Sequence, residues 1–261
     1  MICLLFSAFA LILAISYWET CHPVLRTSKI SLDSLPKKLN GFRILLISDL
    51  HANFYGNRFL KLVEGAACDC ICITGDLIHK KQARDIGYAK EVLRVCAEKS
   101  PTFFVEGNHE AINPVYEQKL KNHLSDLHIP VLENKGVVPF NGFPLYIYGV
   151  KCWKYDFGEY QPGDCFSVIL THRPDIYSLC AQQGADLILA GHTHGGQVQF
   201  FGRGLFSTGQ GIFPKYSKGL YRDFSTPMFV TAGVGNHSKW IPRIFNSPGI
   251  DLLILSGKEG N

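Results

Sequence analysis

The stretch FRILLISDLH, residues 42–51, decides the fold of this chain. Its apolar run lacks polar alternation, which is the pattern of a strand buried on both faces. Asp49 and His51 follow this run directly, so two side chains of the metal-binding type lie where the strand ends. The sequence therefore predicts a buried strand that delivers polar side chains at its carboxyl end.

The same design occurs four more times along the chain. Each time, an apolar segment leads directly into polar residues, in CITGDLIH (Asp76, His79), FFVEGNHE (Asn108, His109, Glu110), VILTHRP (His172) and LILAGHTHGG (His192, His194). Any one of these segments also fits a helix N-cap or an ordinary turn. Five at successive strand ends favour one shared site, because open α/β sheets bind ligands beyond the carboxyl ends of their strands.

Strand-like and helix-like segments alternate through the first two thirds of the chain. Helices are predicted at residues 57–66, 85–100, 113–127 and 174–183, and further strands at residues 70–74, 102–106, 145–150, 165–171 and 186–190. Asn113 and Pro114 are a favourable N-cap and first-turn pair. This order predicts a layered α/β domain with mixed sheets over residues 41–261.

Composition narrows the class of protein. Of 261 residues, 46% are hydrophobic and 18% charged, which excludes a disordered or fibrous chain. The net charge of +4 is too small to indicate a nucleic-acid partner, but it suits anionic substrates.

Nine cysteines indicate no disulfide framework; Cys68, Cys70 and Cys72 alternate as small hydrophobic residues on one strand face, with a soft-metal site as the alternative. Unpaired cysteines favour a reducing compartment.

The N-terminus differs from the rest of the chain. Residues 2–18 carry no charge and end in Tyr17 and Trp18, and as a helix they would extend about 25 Å. We expect a membrane anchor over residues 1–20 and a linker over residues 21–40; a cleaved signal peptide and a buried helix are the alternatives. Arg26, Lys29 and the Lys37–Lys38 pair follow the span, which predicts that the domain lies on the cytoplasmic side.

The types of side chain indicate a binuclear metal centre. Carboxylate, imidazole and carboxamide groups without thiolate suit divalent Mn, Fe, Zn or Mg. The seven candidate ligands, Asp49, His51, Asp76, Asn108, His172, His192 and His194, are too many for one tetrahedral ion. They fit two ions that share a carboxylate. Gly191, Gly195 and Gly196 provide the backbone freedom that the His192–His194 pair needs to reach both ions.

The ordered motifs D-x-H, G-D, G-N-H-E, H and G-H-x-H resemble those of the calcineurin-like metallophosphoesterase superfamily, over Arg43 to Gln197. That resemblance implies two mixed sheets packed as a sandwich and flanked by helices, here with an N-terminal hydrophobic helix. LTHRPD, PKYSKGLY and GVG…RIFNSPGIDLL are similar to the small membrane-associated bacterial branch of YkuE- and YaeI-type phosphodiesterases.

The resemblance also implies residue roles. One metal would be held by Asp49, His51, Asp76 and His194, and the other by Asp76, Asn108, His172 and His192, with Asp76 bridging; Mn is the expected ion. His109 resembles the family's catalytic histidine beside the metals. The family often has a carboxylate where this chain has His79, so Glu110 or another group would have to orient His109. Arg173 is a candidate phosphate clamp, with surface solvation as the alternative.

The expected function is hydrolysis of a phosphodiester or pyrophosphate bond, in a lipid-linked substrate such as UDP-2,3-diacylglucosamine of lipid A synthesis. A phosphodiesterase or phosphatase for soluble substrates and a non-catalytic metal-binding scaffold are the alternatives. The tail at residues 202–249 is rich in basic and aromatic residues, among them Arg203, Lys218, Lys239, Trp240 and Arg243. It is either a rim facing lipid headgroups or a solvated basic face.

Overall fold

A computed structural model describes residues 2–80, 86–140, 142–207, 210–236 and 242–257. Helices in this part of the chain are α1 Ile2–Thr20, α2 Gly56–Gly65, α3 Gly87–Lys99, α4 Lys121–Asp126 and α5 Tyr177–Ala181. Strands are β1 Val24–Leu32, β2 Arg43–Ile47, β3 Cys70–Ile73, β4 Thr102–Phe104, β5 Lys135–Val137, β6 Leu145–Gly149, β7 Phe166–Leu170, β8 Leu187–Ala190, β9 Gln199–Phe200, β10 Arg203–Gly204, β11 Phe206–Ser207, β12 Gly211–Ile212, β13 Gly219–Tyr221, β14 Met228–Val230 and β15 Gly249–Gly257.

Two mixed sheets form the framework. The first has the order β1-β15-β2-β3-β4, in which β2, β3 and β4 run parallel and β15 is antiparallel to β2. The second has the order β13-β14-β8-β7-β6-β5, in which β6, β7, β8 and β14 run parallel. The prediction of mixed sheets is confirmed.

The two sheets pack face to face. Strand β3 shows the arrangement: Cys70 and Cys72 lie in the cluster between the sheets, whereas Ile71 and Ile73 pack toward α2 and α3. The outer face of the second sheet packs against α5. The predicted helix-flanked sandwich is therefore confirmed, and these two cysteines pack as small hydrophobic side chains without disulfide partners.

The predicted helices are found close to their expected positions. Asn113 starts one of them, because its side-chain oxygen accepts a hydrogen bond from the Val115 N–H at 2.9 Å. This helix passes through a π-helical turn at Tyr116–Leu120 before it continues as α4. Another helix was predicted at residues 85–100. Its first residue, Asp85, lies outside the described residues, and α3 spans Gly87–Lys99.

The prediction of a linker over residues 21–40 was wrong for most of its length. Strand β1 pairs in parallel with β15 over nine residues and forms one edge of the first sheet. Ile30 and Leu32 are buried against the inter-sheet core, and Arg26 forms a salt bridge with Asp251 of β15 at 2.8 Å. The strand depends on its pairing with β15, which lies more than two hundred residues later in the chain.

Helix α1 precedes this edge strand. Leu11, Ile15, Tyr17 and Trp18 are exposed on it. None of the helices in the described part of the chain combines the length and the apolar character that crossing a membrane requires. The anchor over residues 1–20 stays a prediction.

Candidate metal centre

The seven candidate ligands meet at one edge of the sandwich. They follow β2, β3 and β4 of the first sheet and β7 and β8 of the second, so both sheets contribute. Six of them are buried and Asn108 is half-buried. The structure thus brings together every residue that the sequence nominated, while their binding of metal stays a prediction.

Asp49, His51 and His194 form the first group. The Nε2 atoms of the two histidines lie 3.0 Å apart, and each lies 3.8 Å from Asp49 Oδ1. The other carboxylate oxygen of Asp49 accepts a hydrogen bond from the His192 N–H at 2.9 Å. Asp49 Oδ1 is buried and has no hydrogen-bond partner among the described residues, so it is available to a cation.

Asn108, His172 and His192 form the second group. His172 Nε2 lies 3.0 Å from Asn108 Oδ1 and 3.1 Å from His192 Nδ1. The other ring nitrogen of His172 lies 2.7 Å from the carbonyl of Thr74, which accepts its proton and directs Nε2 toward the site.

Asp76 joins the two groups. Its Oδ2 atom lies 3.7 Å from His51 Nε2 and 3.3 Å from His172 Nε2. Its Oδ1 atom accepts the His109 N–H at 2.8 Å. One oxygen is therefore fixed by the backbone, and the other faces both groups.

The backbone of the site adopts conformations that favour glycine. Five of the seven candidate ligands have positive φ angles, Asp49, His51, Asp76, His192 and His194, between 49° and 73°. Such conformations are uncommon for non-glycine residues and cluster at functional sites. The predicted freedom of the H-x-H turn is confirmed at Gly195 and Gly196, which have positive φ, and His192 and His194 point into different groups. Gly191 has no positive φ; a Cβ added there would lie 2.0 Å from Ser48 Oγ, so its requirement is for space.

The electrostatics prepare two of the four candidate ligand histidines to bind a cation. Burial lowers the pKa of His51 and of His192 to about 3, so both are neutral near pH 7. Burial also opposes charge on His172, but the carboxylates of Asp76 and Asp49 outweigh it and raise its pKa to about 9. Conversely, burial disfavours the charged form of Asp76, yet His172 and His51 hold its pKa well below its usual range.

These residues fit divalent cations. Two carboxylates, an amide oxygen and four imidazoles converge without a thiolate, a donor set suited to Mn, Fe, Zn or Mg. The unpartnered Asp49 Oδ1 and the opposed Nε2 atoms of His51 and His194 gain a common partner if a cation lies between them. The cluster thus supports the expected divalent ions without deciding their identity.

His109 lies beside both groups, with Nε2 4.0 Å from Asp76 Oδ2. Its Nδ1 atom accepts the Lys80 N–H at 3.2 Å, so Nε2 carries the proton that faces the site. The ring of His79 packs edge-to-face against it, with centroids 4.8 Å apart. A backbone amide and a second imidazole therefore surround His109 where the family often has a carboxylate.

Glu110 does not take over that orienting function. Its buried carboxylate accepts hydrogen bonds from the backbone N–H groups of Asp76, Gly107 and Ile78 at 2.7, 2.9 and 3.0 Å. Burial, with the nearby charge of Asp76, raises the pKa of Glu110 to about 8. Glu110 fixes the loops that carry Asp76 and Asn108, and the sequence alone did not reveal this.

Arg173 is already engaged within the fold. Its guanidinium forms two hydrogen bonds with Asp175, at 2.9 and 2.6 Å, and stacks over Trp153 at 4.3 Å. A role of Arg173 as phosphate clamp stays a prediction. It requires that the Arg173–Asp175 pair open, or that Arg173 bind a phosphate and Asp175 together.

Two contributors to the site were missed. The loop after β14 lies against Asp49, because a Cβ added at Gly233 would come within 2.8 Å of the Asp49 Cβ. Arg243, which the sequence placed in a basic tail, is fully buried and contacts His194. Its position within GVG…RIFNSPG was the available signal. Lys239 and Trp240 of the same tail lie outside the described residues.

Comparison with known proteins agrees with this arrangement. The family model described as calcineurin-like phosphoesterase matches residues 42–196, a range that includes all seven candidate ligands. The chain belongs to this family. The resemblance seen in the sequence motifs is confirmed at that level.

Individual relatives have low sequence identity to this chain. The phosphodiesterase YaeI of Escherichia coli is 30% identical over 240 residues, which cover 82% of each chain. An uncharacterized metallophosphoesterase of Helicobacter pylori is 26% identical and covers 89% of this chain, which spans only 63% of the relative's length. Among solved structures, TT1561 of Thermus thermophilus has a TM-score of 0.45 and 16% identity, covering 73% of this chain and 89% of its own.

Proposed function

We propose that this protein is a metal-dependent hydrolase of phosphoester bonds. The observation that carries the proposal is Asp76 Oδ2, which lies between two groups of buried ligands contributed by different sheets. A scaffold protein has no need for such a shared oxygen, whereas two-metal hydrolysis does. Family membership and the relative named phosphodiesterase YaeI support the same reaction class.

Each group of residues has a definite task in this proposal. Asp49, His51 and His194 would hold one cation, Asn108, His172 and His192 the other, with Asp76 common to both. When bound, the two cations supply positive charge that stabilises the phosphoryl oxygens. His109 directs its Nε2 proton toward the site, where it donates a hydrogen bond to a phosphoryl or leaving-group oxygen.

Hydrolysis of a chromogenic phosphodiester tests the reaction class. After removal of metals with EDTA, we expect no activity, and we expect activity to return with Mn²⁺. Asp76→Asn should lower the rate by at least about 10³-fold, because both cation sites lose charge. The matched control is Asp69→Asn, a half-buried carboxylate paired with Arg43, which should leave the rate unchanged. An Asp76→Asn protein as active as its parent would contradict a metal centre built on Asp76, whereas a parent without activity would favour the scaffold alternative.

For the substrate, we propose an amphipathic phosphodiester or pyrophosphate at a membrane surface, of which UDP-2,3-diacylglucosamine is one example. A cleft of about 490 Å³ is lined by Arg203, Lys215 and Lys218. Its wall is held to the loop carrying His192 and His194, because the Ser217 carbonyl accepts the hydroxyl of Thr193 at 2.6 Å. Such a basic cleft suits an anionic group of the substrate other than the phosphoester that is hydrolysed.

Exposed apolar side chains support the membrane part of this proposal. Phe200 and Phe201 lie at the β9–β10 turn and are 60% and 91% exposed, and Tyr17 and Trp18 are exposed on α1. Aromatic and basic residues together suit a lipid–water interface. This arrangement is compatible with the predicted cytoplasmic, membrane-attached location.

Release of UMP from UDP-2,3-diacylglucosamine in mixed micelles, compared with turnover of a soluble diester, tests the substrate proposal. We expect Phe200→Ser/Phe201→Ser to slow the first reaction and spare the second. Turnover of the soluble diester alone would favour the alternative of a soluble substrate and leave the reaction class intact.

A further inference from the structure

Arg243 is the largest fully buried side chain whose charge the proposed reaction does not use. Among the described residues, no carboxylate lies within ion-pair distance of it. Its guanidinium instead donates to two backbone carbonyls, those of Ala232 at 2.8 Å and Gly235. An arginine buried without a direct carboxylate partner is costly, so its retention needs a compensating role.

The carbonyl of Gly235 connects Arg243 to His194. It accepts a hydrogen bond from Arg243 Nη2 and lies 3.3 Å from His194 Nδ1, while Nη2 itself lies 3.2 Å from that nitrogen. If His194 Nδ1 carries the proton, it donates to this carbonyl and Nε2 presents a lone pair to the first group. The opposite tautomer, in which Nδ1 accepts from Arg243 Nη2, would direct an N–H toward His51 and Asp49 and prevent ligation. A metal on Nε2 therefore requires that Nη2 donate to the Gly235 carbonyl alone.

The segment that contains Arg243 also holds the backbone of His194. Asn246 Nδ2 donates to the His194 carbonyl at 2.7 Å, and a Cβ at Gly195 would lie 2.3 Å from Asn246 Oδ1. The Gln199 N–H donates to the Ile244 carbonyl at 2.9 Å. One short segment therefore fixes both the main chain and the ring environment of His194.

We propose that Arg243 is a positioning residue for the cation site formed by Asp49, His51 and His194. It holds the Gly235 carbonyl beside His194 Nδ1, so that this carbonyl accepts the Nδ1 proton when Nε2 binds the metal. The proposal rests on the proposed two-metal function, and it assigns Arg243 to one of the two sites only.

Mn²⁺ titration of the full chain by calorimetry, beside the diesterase assay, tests this assignment. Arg243→Lys keeps the charge and most of the stem but lacks the two separate Nη atoms that reach the carbonyls of Ala232 and Gly235. We expect this variant to bind one of the two Mn²⁺ ions about 10–100-fold more weakly, which is the usual effect of losing a partner of a metal ligand. The affinity for the other ion should stay unchanged. Arg243→Met serves as a second variant.

Arg26→Met is the matched control. Arg26 is also a packed arginine near this end of the sheet, where it binds Asp251 and the Ser247 carbonyl, but within the described part of the chain it hydrogen-bonds to none of the candidate ligands. We expect it to lower the unfolding temperature without weakening either Mn²⁺ ion. Equal weakening by Arg26→Met would show that general destabilisation causes the effect and would overturn the assignment.

A double variant tests the route through His194. His194→Ala removes one Mn²⁺ site, and Arg243→Lys added to it should then have no further effect on the remaining ion. If Arg243→Lys weakens both ions, or neither, in a parent chain that binds two and hydrolyses the diester, the positioning role is wrong and the proposed function is unaffected. A parent that binds no Mn²⁺ overturns both.

Discussion

At the scale of single residues, the two oxygens of Asp76 have different environments. Oδ1 is held by the His109 N–H, and Oδ2 faces the Nε2 atoms of His51 and His172. The same separation occurs at Asp49, whose Oδ2 is held by the His192 N–H while Oδ1 has no partner. In both residues a backbone N–H fixes the carboxylate, so that its free oxygen is already oriented for a cation.

Proton release on metal binding follows from the charge on His172. Its pKa of about 9 in the absence of metal means that it is protonated at pH 7, and Nε2 must lose that proton to bind a cation. Calorimetric titration with Mn²⁺ at pH 7, in two buffers of different ionisation enthalpy, should show release of about one proton per chain. Affinity should rise with pH up to about 9. Equal heats in both buffers would contradict this protonation state.

Above pH 8, where Glu110 is ionised, its carboxylate is expected to stabilise the fold through its three backbone partners. Glu110→Gln places an amide N–H₂ against a backbone N–H and should cost about 1–3 kcal/mol in the free energy of unfolding. Glu106→Gln is the control, because Glu106 is also buried but its Oε1 has no partner and burial raises its pKa. Urea denaturation with EDTA present measures both. A Glu110→Gln chain as stable as Glu106→Gln would refute this role.

At the scale of elements, the loops after β3 and β4 come into close contact at Gly75 and Gly107. A Cβ at Gly107 would lie 2.1 Å from Asp76 Oδ1 and 2.5 Å from the Asp76 nitrogen. The approach lets the Asn108 loop lie directly over the Asp76 loop, and it explains why G-D and G-N-H both contain glycine. Gly107 has no positive φ, so its requirement is for space alone.

Gly107→Ala should therefore destabilise the protein by about 1–3 kcal/mol and weaken Mn²⁺ binding, because the loops must separate to accommodate the methyl group. Gly65→Ala, at the end of α2 with no atom within 4 Å of an added Cβ, is the matched control and should be neutral or slightly stabilising. Thermal unfolding and calorimetry measure the two effects. Indistinguishable variants would show that the contact is not tight.

The sequence predicted the elements that carry their own local signal. Buried strands ending in polar ligands, the helices, and the cap at Asn113 were identified correctly, because apolar runs and turn residues are local features. The contact of the Lys80 N–H with His109 and the burial of Arg243 were not predicted. Both depend on contacts between segments distant in sequence, which no local pattern specifies.

At the scale of the whole molecule, the missed strand β1 shows the same limit. Its partner β15 lies more than two hundred residues later, and only that pairing makes residues 24–32 part of the sheet. Because β15 also pairs with β2, the strand that leads to Asp49, β1 supports the sheet next to the site. The first and last strands of the described chain thus meet in one sheet, beside the strand that leads to the site.

Truncation tests this contribution. A chain starting at Gly41 loses β1 with the buried Ile30 and Leu32, which should cost about 1.5–3 kcal/mol for each side chain. A chain starting at Cys21 keeps β1 and should retain most of the stability. Urea denaturation followed by circular dichroism compares them. Equal stability of the two chains would restore the original interpretation of residues 21–40 as a linker.

The central claim is that both sheets together form a binuclear centre on Asp76. Anomalous diffraction from crystals grown with Mn²⁺ tests it most directly. We predict two anomalous peaks about 3.5–4 Å apart, on either side of Asp76 Oδ2, one near His51 and His194 and one near His172 and His192. A single peak, or peaks away from Asp76, would contradict the account.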